Sequence, residues 1–363
     1  MRLATTIRGF IPVVLLAVSA WAVSVPASAA EESKGRAGGE GSSQASVPCG
    51  DAAALVSAVS DAVNAGGGTV ALTAGCTYTL TAPAVTPGTN GPDGLPVITG
   101  NVTITGLGAT IRRSAAAADF RLVEVAQGGR LTLYGVTLEN GKATDGGGIL
   151  DLGTLSLVRT TVSGNTASGV GGGIEVGDGA NATLNTSQVT GNTGGDGGGI
   201  HVSPGATLTV ASGTISDNTA TNTGGGIANW GTSVLAAVQV LTNRTVNFEG
   251  GGIWTSTGDF TFNGGRVNGN TAGTNGGGIA NFGSSLKVQS TVVSGNTATL
   301  NGGGLFNHAG NAQLVGGVIT GNTAHGGQGG GIFSDGGAVS LLATNVAGNN
   351  PNNCVPALAG CSG

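Results

Sequence analysis

GGGIWTSTGDFTFNGGRVNGN, from Gly250 to Asn270, is followed after TAGTN by GGGIANFGSSLKVQSTVVSGN, from Gly276 to Asn296. The two stretches are one pattern written twice: three glycines, an isoleucine, and an asparagine twenty positions after the first glycine. The pattern extends in both directions. Glycine triplets begin at Gly146, Gly171, Gly197, Gly224, Gly250, Gly276, Gly302 and Gly329, spaced 25 to 27 residues apart. Each is followed by Ile149, Ile174, Ile200, Ile227, Ile253, Ile279, Leu305 or Ile332. The asparagine column reads Asn165, Asn192, Asn218, Asn243, Asn270, Asn296, Asn322 and Asn349. Three residues before each lies Val162, Val189, Ile215, Val240, Val267, Val293, Ile319 or Val346. Eight before it the residue is again apolar, from Leu157 to Leu341.

A fixed period of this length marks units that bury their apolar faces only against each other. Each unit holds three short apolar stretches: one after the triplet, one around the −10 and −8 positions, one around the −3 position. They are too short for helices and alternate as strands do. Stacked in parallel, they predict an all-β fold: a right-handed single-stranded parallel β-helix, a triangular solenoid. Eight regular coils at about 141–350 and three less regular ones from Thr69 to Asn140 make ten or eleven, a rod of roughly 50 Å at about 4.8 Å per coil. Matching positions then lie above one another. The asparagines are expected to form a structural ladder, since Asn tolerates left-handed backbone and its amide both donates and accepts. The twenty-four triplet glycines would cost on the order of 10–20 kcal/mol in regular structure. They must therefore serve positive φ or close approach between coils.

Outside the repeats, Asp51 reads as an N-cap, with Leu55, Val59, Ala62 and Val63 on one face of a short capping helix. Gly66-Gly67-Gly68 stops it, and Thr69 to Leu80 returns as strand. Residues 31–48, rich in Gly, Ser and Glu, read as a flexible linker. Residues 1–30 read as a signal peptide: Arg2 and Arg8, an apolar run from Ile11 to Val25, then Ala27-Ser28-Ala29. The β-helix domain is expected over 49–363. After cleavage no transmembrane anchor is expected, and the protein is read as secreted. Four cysteines in an exported chain favour disulfides. Of three pairings, the local one (Cys49 with Cys76, Cys354 with Cys361) is favoured because the pairs flank opposite ends of the rod.

Glycine makes up 73 of 363 residues and charged residues only 9%, which fits neither an ordinary globule nor a charged disordered chain. Without Arg2 and Arg8, 11 cations face 18 anions, a net charge of −7. Nucleic acid is therefore not an expected partner.

ALVSAVSDAVNAGGGTVALTAGCTYTL, from Ala54 to Leu80, resembles the cap and first strand of pectate-lyase-like β-helix proteins. The repeats from Gly146 to Asn349 resemble those of polymorphic outer-membrane proteins, with Gly-Gly-Gly-Ile in place of Gly-Gly-Ala-Ile and Val or Ile in place of the repeat Phe. The resemblance covers most of the chain after residue 48 and implies the β-helix fold. Of the catalytic motifs of pectate lyases and polygalacturonases (a calcium-binding Asp cluster with an Arg base, Asn-Thr-Asp, Asp-Asp, Gly-His-Gly, Arg-x-Lys) it offers no counterpart, and no catalytic residue is assigned. Asp145, Asp196 and Glu249 precede triplets and read as turn residues. Arg112, Arg113, Arg121 and Arg130 read as a solvated edge beside Asp119 and Glu124, with a site for acidic sugars as the alternative. His201, His308 and His325 lack ligand spacing, so neither metal nor cofactor is expected.

One constellation stands out. If the Ile after each triplet points inward, the next residue points outward. That column reads Leu150, Glu175, His201, Ala228, Trp254, Ala280, Phe306, Phe333; two places on come Leu152, Gly177, Ser203, Trp230, Ser256, Phe282, His308, Asp335. Trp230, Trp254, Phe282, Phe306, His308, Phe333 and His201 thus fall on one face, suited to stacking on sugar rings. The expected function is a monomeric secreted protein binding polysaccharide or a cell-surface glycan without catalysis. The alternative is a polysaccharide lyase or glycoside hydrolase with unfamiliar catalytic residues.

Overall fold

The computed structural model describes residues 45–361 apart from 87. The signal peptide expected at 1–30 and residues 31–44 of the expected linker lie outside the described residues. The last of the linker is ordered differently from its composition: Ala45–Val47 is a strand, paired in parallel with Val70–Leu72.

A short helix, α1 (Ala52–Asn64), follows. The Asp51 carboxylate accepts from the Ala54 amide at 2.9 Å, satisfying one of the orphan donors of the first turn. Leu55, Val59 and Ala62 turn inward and join the continuous apolar core, so α1 packs against the first strands at the N-terminal side of the stack. All later structure is β. Three parallel sheets of sixteen, ten and eight strands run the length of a solenoid of about ten turns.

The columns of the sequence are columns in space. Ile149, Ile174, Ile200, Ile227, Ile253, Ile279, Leu305 and Ile332 pair in register along the ten-stranded sheet, and each is at most 1% exposed. The −3 residues do the same in the sixteen-stranded sheet, from Val162 opposite Val189 to Ile319 opposite Val346.

The division of a coil into strands differs from the expectation in one respect. The −8 and −3 stretches belong to one sheet: they are separate strands in Thr154–Val158 and Thr161–Ser163 and a single ten-residue strand in the next coil, Asn181–Thr190. A residue with positive φ, Thr186 in that coil, is left unpaired and bends the strand without shifting its register. The third face comes from the two residues after the column asparagine, as in Thr219–Ala220, whose alanine is fully buried. So short a strand carries no periodicity to read.

The asparagine ladder is realised. Asn243 Oδ1 accepts from both the backbone amide and Nδ2 of Asn218, at 3.0 and 2.9 Å, and its own Nδ2 donates to Ile215 O and Asn270 Oδ1. Equivalent bonds run from Asn165 to Asn349, where Asn353 Oδ1 closes the series. Both reasons for the glycine triplets are met. Gly250 has φ +71°, and a Cβ on Gly251 would lie 2.6 Å from the Gly277 carbonyl oxygen of the next coil. Disulfides join Cys49 to Cys76 and Cys354 to Cys361, the expected local pairing. No helix among the described residues is long and apolar enough to cross a membrane.

Candidate functional site

On the outer face of the ten-stranded sheet the alternation continues past the inward Ile. Asn229, Asn281 and Asn307 point inward and are fully buried, so the residues on either side of each point out. Each coil therefore offers two outward positions, and from the coil of His201 to that of Phe333 at least one of them carries a ring. Where the first is small, the second is large: Ala228 with Trp230, Ala280 with Phe282. Where the first is large, the second can be small: Trp254 with Ser256.

The rings consequently zigzag between two columns and touch along the rod. Centroid separations are 4.7 Å from His201 to Trp230, 4.4 Å from Trp230 to Trp254, 5.8 Å to Phe282, 5.5 Å to Phe306 and 5.8 Å to Phe333. His308 lies 5.2 Å from Phe282 and parallel to Phe306. At one coil rise per step the strip is about 25 Å long. All seven residues singled out from the sequence thus meet in one array.

Its members are not equally accessible. Trp254 and Phe306 are only 9% and 5% exposed. Each lies against the glycine turn of its own coil, and a Cβ on Gly250 would stand 2.7 Å from that of Trp254. Trp230, Phe282 and Phe333 are half-buried and His308 is exposed, so these four form the outer rim. Rings already stacked on one another need little reordering to receive a flat apolar ligand face.

Towards the N-terminus the same two columns turn polar. Glu175 is paired in register with His201, and His201 Nδ1 stands 2.6 Å from Glu175 Oε2. Ser203 Oγ donates to Glu175 Oε1 at 2.7 Å. Next to this group opens a cleft of about 500 Å³, bounded by Asn90, Arg121, Asp145, Leu150, Glu175 and Asp178. Glu175, Ser203 and Asp178 had no assigned role in the sequence. Two of them occupy the aromatic columns, and reading those columns for polar residues as well as rings would have found them.

The arginines correct the sequence reading. Arg121 is no solvated edge: it is 1% exposed, with Nη1 2.8 Å from Asp93 Oδ1 and 3.3 Å from Glu124 Oε2. Its Nε and Nη2 donate to the carbonyls of Asp145, Gly146 and Asn90. Arg113 is also buried, donating to the carbonyls of Asn140, Ser114 and Ala117. Arg112 keeps the edge role, 3.6 Å from Glu139. Burial pushes the Asp93 carboxyl up to about 6; Arg121 pulls it down and Glu124 raises it again. Asp145 and Asp196 are turn residues that accept from the backbone amides of Val170 and Thr223 in the next coil. His325 is exposed and apart from the strip.

Residues 89–240 match the family described as the right-handed β-helix region. That match gives the solenoid its hand and covers the cleft, Glu175, His201 and Trp230. No curated protein and no solved structure matches the chain.

Proposed function

We propose that the protein is secreted and binds a polysaccharide or cell-surface glycan along the aromatic strip, without chemistry on it. The observation that carries this reading is the unbroken run of rings from His201 to Phe333, with Trp230, Phe282 and Phe333 partly open to solvent. A core needs no such run on its outside. The apolar C–H face of a pyranose ring stacks on such rims while its hydroxyls remain hydrated. The acidic balance of the chain and the two disulfides agree with an exported protein. Replacing Trp230 and Trp254 together by Ala is expected to abolish retention on immobilised glycans while thermal unfolding remains cooperative. Undiminished retention by a folded double variant would remove the reading.

A second reading has one observation in its favour. Glu175 Oε2 lies 2.6 Å from His201 Nδ1 beside the cleft, a carboxylate–imidazole pair of the kind that can move a proton during cleavage of a glycan. Shortened or unsaturated sugars released by the wild type and not by His201→Gln would decide for an enzyme.

A further inference from the structure

Arg121 is the one cation among the residues bounding the cleft, and it has nothing left to offer a ligand. Nη1 faces two carboxylates, Nη2 donates to the carbonyls of Asn90 and Asp145, and Nε is shared between those of Asp145 and Gly146. All five guanidinium hydrogens are committed inside the protein. The other charged groups at the cleft are Asp145, Glu175 and Asp178, all acidic.

Among these, Glu175 is held in place. It is 5% exposed, Ser203 Oγ donates to its Oε1 at 2.7 Å, and His201 Nδ1 packs 2.6 Å from its Oε2. It cannot swing away from an incoming anion. Leu150 and Leu152 line the same cleft and supply apolar contact. His201 in turn lies 4.7 Å from Trp230, the first large ring of the strip. A glycan lying along the rings therefore runs onto His201, Ser203 and the cleft without a break.

Resting on the glycan-binding reading above, we propose that the cleft is the specificity-determining end of the site. It admits uncharged sugar residues and rejects uronates, and Glu175 is the residue that sets the choice. Neutral hydroxyls donate to the fixed carboxylate and exchange hydrogen bonds with Ser203 and the His201 ring. A uronate carboxylate meets three like charges and no free cationic donor, which disfavours it. This preference is opposite to the acidic-sugar site that Arg112, Arg113, Arg121 and Arg130 offered as the alternative reading of the sequence.

The test is an array of neutral and uronate oligosaccharides, followed by titration calorimetry with oligogalacturonides and with the same oligomers as uncharged methyl esters. Wild type, Glu175→Gln, Asp178→Asn and Trp230→Ala are compared at one ionic strength. Asp178 is exposed, so its variant folds even if the buried Glu175→Gln does not. The expected result is neutral hits on the array and at least tenfold tighter binding of methyl esters than of free acids. That ratio should fall threefold or more in Glu175→Gln and in Asp178→Asn. Uronate hits that need Trp230, or a ratio unchanged in both carboxylate variants, overturn the proposal and leave glycan binding standing. An array without hits, or with hits indifferent to Trp230→Ala, overturns glycan binding itself.

Discussion

The indole of Trp230 lies 4.4 Å from that of Trp254 at an interplanar angle of 44°, although the two leave the sheet from different columns of successive coils. The contact exists because Ala228 takes the position opposite Trp254 in the preceding coil and leaves the outer face free for Trp230 to lean across. Two indoles this close and mutually inclined couple electronically.

In protein prepared without residues 1–30, and so without the third tryptophan, Trp21, the pair should dominate the near-ultraviolet circular dichroism. Trp230→Phe and Trp254→Phe should each remove the paired bands completely rather than halve them. Survival of the bands in either variant would show that the rings are not in contact. Truncation to Ala should separate the two. Trp254, 9% exposed, is expected to cost about 3 kcal/mol and half-buried Trp230 about 1 kcal/mol in urea unfolding.

Glycine substitutions distinguish close approach from backbone freedom. A Cβ on Gly251 would stand 2.6 Å from the Gly277 carbonyl oxygen, between two coils that cannot separate without breaking both ladders. Gly264 has φ +69° with nothing within 4 Å of its missing Cβ. Gly264→Ala is expected to lower stability by about 1 kcal/mol, the cost of a left-handed alanine. Gly251→Ala should prevent cooperative folding or cost more than about 3 kcal/mol. Equal losses would show that the coils yield to the added methyl and that close approach does not require the second glycine.

Much of this architecture was legible because stacking turns periodicity into position. The Ile, −3 and asparagine columns needed only a count, and the outward rings only the parity of a strand. Other features left no such trace. The face built on Thr219–Ala220 is too short to show alternation. Arg121 looked like a surface cation because its partner Asp93 comes from the irregular segment between the opening strands, where no period indicates what it meets. The exposure of the rings was not readable either, since the glycine turn that covers Trp254 also serves as the repeat marker.

Asp151 supplies a pH test. It points into the core between Val125 and Val176, fully buried, with Oδ1 accepting from the Gly153 amide at 3.0 Å. Burial pushes its carboxyl up to about 7, and the Gly153 bond lowers it only in part. A carboxyl raised by folding holds its proton more tightly in the folded chain. Its contribution is therefore complete below the ordinary value of 3.8 and is lost as pH rises through about 7. The loss is on the order of 4 kcal/mol. Asn keeps the acceptor for Gly153 and does not ionise. Asp151→Asn should thus gain stability over the wild type at about pH 9 and little at about pH 4. Asp93 tilts both proteins alike, so the difference between them is the measurement. A difference independent of pH would show that Asp151 ionises normally.

The asparagine ladder makes the last prediction, because its members are chemically identical and differ only in place. Asn243→Ala, near the middle, deprives the Asn218 amide and Nδ2 of their acceptor and Ile215 O and Asn270 Oδ1 of a donor. All four groups belong to a dry interior where water cannot replace what is lost, and the expected cost is about 4 kcal/mol or more. Asn349 makes the same kinds of bond but is 9% exposed in the last coil, next to Asn353. Solvent can reach part of that site, and among the described residues the stack beyond it continues only in Asn353 and the short strand Cys354–Val355. Asn349→Ala should therefore cost about half as much. Denaturant titrations of single Ala variants along the column should trace a maximum in the middle and a fall towards the C-terminal end. A flat profile would mean that the asparagines act coil by coil, each through its own turn, and that the ladder between them carries no energy.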